Sequence, residues 1–471
     1  MKKKMTIFLL FAVLSASTQA QSIPKLPNSY SPEQKIYELS MVWKEVSYNF
    51  DNFQDDTQAQ FDSIYQAFIP LIMSTPNDLE YCKTIQQFLA HCNNDHTGLR
   101  SWDNPLLDNL IARPYLRTLF RDDKILISNF ADYYAENLRI GDEILEINHT
   151  PALEYIQEHY IPYFSATNKE NKIHYAMFAR GLAYHYPLNT PIELKLLDAI
   201  TLKEKEVTIL ADRKLNDSVD MWFVHDFRND ITNFFFQDTI HKISYVRLRN
   251  SSQATTAFFV KHISEMDESK TLILDLSEHV GGAGRYDNVI WNYLINKESI
   301  RGAYYSTRSH FPYYKSHGSD YCTGKYEVSQ GVIDAYCPYY NGTAYLSLQQ
   351  WGQEINADTI PHFQGNVYVI IGRNCGSAGE QLVTMLSQDE KIRFFGNKTS
   401  GATGRPYIFT LPSGLEIMVE TGKFYNFQQE DISAGINPKY FIDFFDCYGT
   451  SQANELLECI NDKIKQVLEN E

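Results

Sequence analysis

Asn374-Cys375-Gly376-Ser377-Ala378-Gly379-Glu380 is the stretch that decides how this chain is read. The apolar run from Val367 to Ile371 before it has the makings of a buried strand. Gln381, Leu382, Val383, Met385 and Leu386 follow at helical spacing. A small-residue turn between the two lifts Ser377 to the top of a sheet and to the start of a helix. The first N–H groups of a helix lack intrahelical partners and favour developing negative charge. That is the setting a nucleophilic serine needs. The same residues also suit a plain N-cap serine among small neighbours, so the rest of the chain has to decide.

At 471 residues the chain predicts two or three domains. Hydrophobic residues make up 44% and charged residues 21%, a globular balance. The net charge of −16 argues against nucleic acid or an anionic membrane as the main partner. Lys2, Lys3 and Lys4, the apolar run from Ile7 to Leu14, and Thr18-Gln19-Ala20 predict a secretory leader over residues 1–20. The protein is therefore expected to be exported, periplasmic or extracellular. No Cys follows the apolar segment to carry a lipid anchor, and no later run is long enough to span a bilayer.

All seven cysteines lie beyond the leader. In an oxidising compartment the sequence-close pairs 82/92, 322/337 and 447/459 are candidate disulfides, which leaves Cys375 as a small buried residue. Zinc is the weaker reading, because neither Cys-x-x-Cys nor a paired Cys/His spacing occurs. No metal or cofactor is expected.

Residues 31 to 95 read as helices. Ser31-Pro32-Glu33 is a start signal, and Ile36, Leu39, Val42, Trp43, Val46 and Phe50 form an apolar face. A second helix carries Phe61, Ile64, Tyr65, Phe68 and Ile72, and a third carries Leu79, Tyr81, Ile85, Phe88 and Leu89. The third ends in a polar turn, Asn93-Asn94-Asp95-His96-Thr97-Gly98. From 113 to 213 the pattern changes to short strands at 124–128, 142–147, 192–196 and 206–210. From 240 onward strands and helices alternate, which predicts an α/β domain over 214–471, with the N-terminal helical domain over 21–112. Thr271-Leu272-Ile273-Leu274-Asp275-Leu276 runs into Ser277-Glu278-His279-Val280-Gly281-Gly282, and the two glycines let the backbone approach a ligand and aim an N–H at it. A dinucleotide site is disfavoured, since Gly-x-Gly-x-x-Gly is not completed. An insert at 300–351 holds ten tyrosines and Trp351, and reads either as a lid or substrate platform or as surface packing.

Leu138-Arg139-Ile140-Gly141-Asp142-Glu143-Ile144-Leu145-Glu146-Ile147-Asn148 resembles the signature turn and strand of PDZ domains. The resemblance implies capture of an extended peptide at a sheet edge, or a module that braces its neighbour. In order, the chain presents Asp-x-Thr around His96, this PDZ-like stretch, Asp-Leu-x-x-x-x-Gly-Gly and Gly-Ser-Ala-x-Glu. That order resembles the C-terminal processing, or tail-specific, serine peptidases, in the branch of the tricorn core and the retinoid-binding-protein-like repeats. The family implies a Clp-protease/crotonase-type spiral α/β domain, with Ser377 as nucleophile. The amide of Ala378, with that of Gly281 or Gly282, would form the oxyanion hole.

Two ways of activating the serine occur in the family. Where its processing branch has a lysine, Gly396-Asn397-Lys398-Thr399-Ser400-Gly401-Ala402 has Ala402, and Lys398 is displaced, so a Ser–Lys dyad is disfavoured. The other branch implies His96 as base, oriented by an acid just before Gly435-Ile436-Asn437-Pro438-Lys439; Glu430 and Asp431 are the candidates. Ser277, His279 and Lys439 depart from the family's pattern, and His279 is a second candidate base. The last of the thirteen histidines is His362, so an α/β-hydrolase order of Ser, acid, His is excluded. The sequence thus predicts an exported serine peptidase acting on a peptide or unfolded protein through an acyl-enzyme. The alternative is a catalytically inactive protein on the same fold that binds peptide or an apolar ligand; a glycan-binding Tyr-rich surface is a third reading. Sequence does not speak to the oligomeric state.

Overall fold

The computed structural model describes residues 23–51, 55–101, 107–167, 172–173, 185–214, 220–228, 230, 232–297, 299–351, 355–356 and 362–470. The leader expected over residues 1–20 lies outside the described residues.

The apolar periodicity at the N-terminal end becomes three helices, Pro32–Asn49, Asp55–Met73 and Asp78–Ala90. Ser31 caps the first through its side chain to the Gln34 amide, and Asn77 caps the third through the Glu80 amide. Their buried faces (Leu39, Val42, Phe61, Ile85, Phe88 and Leu89 among others) share one core with Leu411, Leu415, Ile417 and Val419. The helices therefore pack against a part of the chain more than three hundred positions away.

An antiparallel sheet follows, in the order Leu116–Arg121, Lys124–Phe130, Glu143–Ile147, Thr190–Leu197, Glu204–Ala211. Alternation of buried Ile192, Leu194 and Leu196 with exposed partners matches a sheet covered on one face, with Ile156 and Phe164 in the same core. Asp142 is fully buried at the turn, where it accepts the amides of Arg139 and Ala199 and pairs with Lys205.

A six-stranded sheet carries the serine. Its order is Phe234–Asp238, Ile243–Arg247, Thr271–Asp275, Asn366–Ile371, Ile392–Gly396 and Tyr440–Phe441. The first pair is antiparallel and every later pair is parallel. Its central strands are apolar on both faces, as a sheet between two layers requires. One face packs on Phe259, Ile290, Leu294, Leu382 and Leu386. The other packs on the C-terminal helix Ala453–Leu468 through Leu456, Leu457, Ile460 and Ile464. The mixed α/β class expected from the sequence, a largely parallel sheet between helical layers with a β-rich companion, is the architecture found.

Residues 407–410 and 416–419 form a hairpin outside the six-stranded sheet, and Glu416–Val419 in turn pairs with Gly98–Ser101. One detail differs from the sequence reading. Cys322–Cys337 and Cys447–Cys459 are disulfides, whereas Cys82 and Cys92 are free buried thiols. Cys82 lies in the third helix and Cys92 just past its end. Ten residues of helical rise would set them ~15 Å apart along the axis, beyond the reach of a disulfide.

The Tyr-rich insert is ordered. Helices Pro312–Cys322 and Gln330–Asn341 form a hairpin closed by the Cys322–Cys337 bridge. At its base, Arg308 donates to the carbonyls of Ser47 and Gly342, and Tyr345 to that of Asp51, tying it to the end of the first helix.

Candidate active site

The strand Asn366–Ile371 ends in a turn that leads into the helix Ala378–Leu386. Ser377, at the helix start, has φ 55° and ψ −121°, a sparsely populated conformation for a residue with a side chain. Holding such a residue costs ~1–3 kcal/mol, so its surroundings must impose it. They do so through backbone bonds: Gly376 N–H to the His279 carbonyl (3.0 Å), Ser377 N–H to the Ala402 carbonyl (2.6 Å), and Ser400 N–H to the Cys375 carbonyl (2.9 Å). A Cβ on Gly376 would lie 2.5 Å from Ser400 Oγ, which explains the glycine before the serine. Cys375 is a fully buried thiol whose pKa burial pushes well up. Ser377 itself is partly exposed.

The Gly281–Gly282 turn lies directly against this serine. A Cβ on Gly281 (φ +89°) would come within 2.6 Å of Ser377 Cβ and 3.2 Å of Ser377 Oγ. The turn is carried by a short ladder to the neighbouring segment: Val280 N–H to the Arg249 carbonyl, Ser251 N–H to the Gly281 carbonyl, and Ala283 N–H to the Ser251 carbonyl. Asp275, fully buried, accepts Tyr245 and Tyr448 hydroxyls at 2.6 Å and the Ser277 amide at 2.8 Å, which anchors the start of the turn. The amide of Ala378, in the first turn of the serine's helix, has no acceptor among the described residues.

His96 arrives from the opposite end of the sequence. The buried Asn94 accepts its amide at 2.8 Å and the Thr97 hydroxyl at 3.3 Å, fixing the turn. The His96 Nδ1 lies 2.9 Å from the Thr403 carbonyl. Only a protonated Nδ1 can bond a carbonyl, so the neutral ring has a free lone pair on Nε2. Burial lowers its pKa, against the contrary pull of the Thr403 carbonyl. No hydrogen bond joins the His96 ring to Ser377 Oγ among the described residues. Ala402 and Thr403 are consecutive, so their two carbonyls hold the serine's backbone and the imidazole side by side.

Glu380, one turn after Ser377, is fully buried and braces that segment from beneath. Its Oε1 accepts the Thr399 hydroxyl at 2.5 Å and the Gly401 amide at 2.8 Å. Burial pushes its pKa up to about 8 despite those bonds.

Of the two acids expected to orient the base, Glu430 accepts the Asn426 side chain at 2.7 Å and Asp431 accepts the Ser433 amide at 2.8 Å. Both are exposed, and neither bonds His96 among the described residues. A third acid, which the sequence reading passed over, stands closer in connectivity. Glu420 is fully buried; its amide donates to the Thr97 hydroxyl at 3.2 Å, and a Cβ on Gly404 would lie 2.4 Å from its Oε1. It therefore touches the residue after His96 and the residue after Thr403. Burial, reinforced by Asp51 and Asp95, raises its pKa well above the carboxylate range. The sequence signal was an acid directly after the alternating apolar residues Leu415, Ile417 and Val419, all of which are buried.

His279, the second candidate base, is fully buried behind the serine's helix, with Nδ1 3.3 Å from the Gly281 amide. Burial pushes its pKa down to about 4. Lys398 is partly exposed, its Cε 3.3 Å from where a Cβ on Gly435 would lie, and Ala402 occupies the position of the alternative lysine. Among the described residues no group of three or more His, Cys, Asp or Glu is arranged to hold a metal ion.

A cleft of about 530 Å³ opens beside the site, lined by Leu119, Phe120, Ile371, Phe444, Glu278 and Asn374 among others. Ser377 is not in its lining, but Asn374 and Glu278 lie three residues before Ser377 and Gly281. No helix among the described residues is long and apolar enough to cross a membrane.

A strand–turn–helix serine facing a Gly-Gly turn on a mostly parallel sheet is the layout of an acyl-transfer enzyme. Residues 242–442 match the model of peptidase family S41. That match places residues 242–442 in the S41, or tail-specific, peptidases, and the chain is a serine-type peptidase. The fold is shared with solved structures of mature CPAF, with a TM-score of 0.69 at 13% identity over 93% of this chain and 98% of that one. Mature CPAF complexed with lactacystin gives 0.67 at 13% identity over 93% of this chain and 99% of that one. No curated protein sequence matches the chain significantly.

Proposed function

We propose that the protein is an exported endo- or carboxy-directed serine peptidase in which Ser377 is the nucleophile and His96 the general base. Ser377 Oγ attacks the carbonyl carbon of the scissile bond while His96 Nε2 takes its proton. The amides of Ala378 and of Gly281 or Gly282 receive the oxyanion. The imidazolium then gives that proton to the leaving amine as the C–N bond breaks, leaving an acyl-enzyme on Ser377. Water, deprotonated by the same imidazole, releases the acid product and regenerates the hydroxyl.

The supporting observation is that consecutive carbonyls, Ala402 and Thr403, bond the Ser377 amide and the His96 Nδ1. The bond to Thr403 selects the tautomer a base requires. A hydroxyl–imidazole bond that tightens only when substrate is bound is ordinary for such sites.

Of Glu420, Glu430 and Asp431, we favour Glu420 as the acid that steadies the imidazolium. It is buried and packed against the flanks of the base, and a cation forming beside it would draw it into its ionised form. Residues 21–112 would form the helical domain that carries His96 and residues 113–213 a PDZ-like domain. The latter would pass a peptide or unfolded protein along the adjoining cleft to residues 214–471.

A fluorophosphonate probe tests the reading. Labelling is expected in the wild type and lost in Ser377→Ala and His96→Ala; full labelling of His96→Ala would remove it as base. Lactacystin, bound by CPAF, is a second probe. The alternative, an inactive peptide- or apolar-ligand-binding protein, draws on the Gly281 amide's engagement with His279. Peptide binding by calorimetry without any acylation would favour it.

A further inference from the structure

We propose that His279 is a positioning residue for the oxyanion pocket, holding the Gly281–Gly282 turn so that the Gly282 amide, together with that of Ala378, faces the reacting carbonyl. The inference rests on the serine-peptidase reading and adds to it a residue that touches no substrate.

His279 contacts both halves of the pocket. Its carbonyl accepts the Gly376 amide at 3.0 Å, one residue before the nucleophile. Its Nδ1 accepts the Gly281 amide at 3.3 Å. The ring is fully buried and pressed against the serine's helix, since a Cβ on Gly379 would lie 2.7 Å from Nδ1. A side-chain acceptor bonded to the amide two residues on is the pattern by which Asn and Asp close a turn. The imidazole Nδ1 sits at the same δ position as an Asn oxygen. With its pKa held near 4 by burial, the ring is neutral at pH 7 and Nδ1 can accept.

This bond decides which amide is left for the oxyanion. The Gly281 amide is engaged with His279. Gly282 forms a parallel bridge with Ser251, in which Ser251 bonds the carbonyl of Gly281 and the amide of Ala283. The bridging residue in a parallel pair directs its own amide to the other side of the strand. On that side lies the segment that continues the Asn366–Ile371 strand to Ser377, because the Thr271–Asp275 strand sits between the Ile243–Arg247 and Asn366–Ile371 strands. Without the ring, the amide of Gly281 (φ +89°) loses its side-chain acceptor, and only the ladder to Arg249 and Ser251 is left to hold the turn.

The test measures phosphonylation by a fluorophosphonate probe over a concentration series, separating maximal rate from half-saturation. His279→Leu keeps the bulk without the acceptor, and His279→Gln moves the acceptor one bond outward. Each is expected to lower the maximal rate by ~10²–10³-fold, the usual loss for one oxyanion donor, with half-saturation unchanged. His279→Asn, which restores a δ acceptor, is expected within ~10-fold of wild type. Hydrogen exchange at Gly281 should be slow in wild type and in His279→Asn, and fast in the other two. Wild-type maximal rates in a folded Leu or Gln variant overturn the proposal, as does an Asn variant no better than Gln. Labelling that requires Ser377 but ignores His279 sinks this inference alone; a wild type that is never labelled sinks the peptidase mechanism with it.

Discussion

Thr403 presents its carbonyl to His96 Nδ1 at 2.9 Å across 307 positions of sequence. The preceding residue, Ala402, presents its own to the Ser377 amide at 2.6 Å. Two successive peptide units thus fix the tautomer of the neutral His96 ring and the height of the Ser377 backbone. In the lysine branch of the family the side chain at this position would carry the base. Here the backbone does the work of placing a histidine that comes from elsewhere.

The acid beside that histidine can be identified by substitution. Glu420→Gln keeps shape and burial but cannot become the anion that steadies an imidazolium, and should slow phosphonylation of Ser377 by ~10²–10⁴-fold. Glu430→Gln and Asp431→Asn, both on the exposed turn, should stay within a few-fold of wild type. A Glu420→Gln enzyme of full rate, with a slow Asp431→Asn enzyme, would move the role to Asp431.

The acid limb of activity should lie low. Burial lowers the His96 pKa beneath the ordinary 6.5, and only the neutral ring accepts the serine's proton. Labelling rate should therefore hold steady as pH falls through 6.5 and decline only below it. A midpoint at or above 7 would contradict the buried base.

Gly379 should tolerate no side chain. A Cβ there would lie 2.7 Å from His279 Nδ1 and 3.0 Å from the His279 carbonyl, so Gly379→Ala must push the serine's helix off the Gly-Gly turn. A displacement near 1 Å costs ~10²-fold in rate. Gly331→Ala, in a helix where a Cβ meets nothing within 4 Å, is the control and should leave the labelling rate unchanged. Equal rates in the two variants would show the wedge to be soft.

Glu380 should make stability fall as pH rises from about 4.5 to about 8. Its folded pKa is raised to about 8 from 4.5, so between those values the folded state holds a proton that the unfolded chain has released. Stability from this group is full below about 4.5 and is lost as pH rises to about 8, with a slope of up to ~1.4 kcal/mol per unit. Denaturant titrations of Glu380→Gln should show a shallower decline over that window. Parallel pH profiles for the two proteins would mean that Glu380 is ionised in the fold.

Much of this molecule could be read along the chain. Apolar spacing alone placed the three N-terminal helices, the strand before Ser377 and the helix after it, because the side-chain period of a helix or a strand is set by local backbone geometry. The glycines at 281 and 282 marked close backbone approach, and those at 376 and 379 marked a small-residue turn around the serine; the contacts at each of them now explain both. The disulfides at 322–337 and 447–459 close short loops and were visible as spacings, while the 82/92 pair failed because a helix holds its members apart.

What the chain could not reveal by itself was who meets whom. Gly98–Ser101 pairs with Glu416–Val419, and that ladder carries the turn of His96 to Ala402, Thr403 and Glu420. No local pattern encodes such a partnership: edge-to-edge strand pairing and a shared core among Leu39, Phe88, Ile417 and Val419 are chosen only when the collapsed chain buries them together. The residue types at the site belong to the sequence, and their juxtaposition belongs to the packing. Burial then determined which histidine is wedged behind the turn and which carboxyl group is kept out of water.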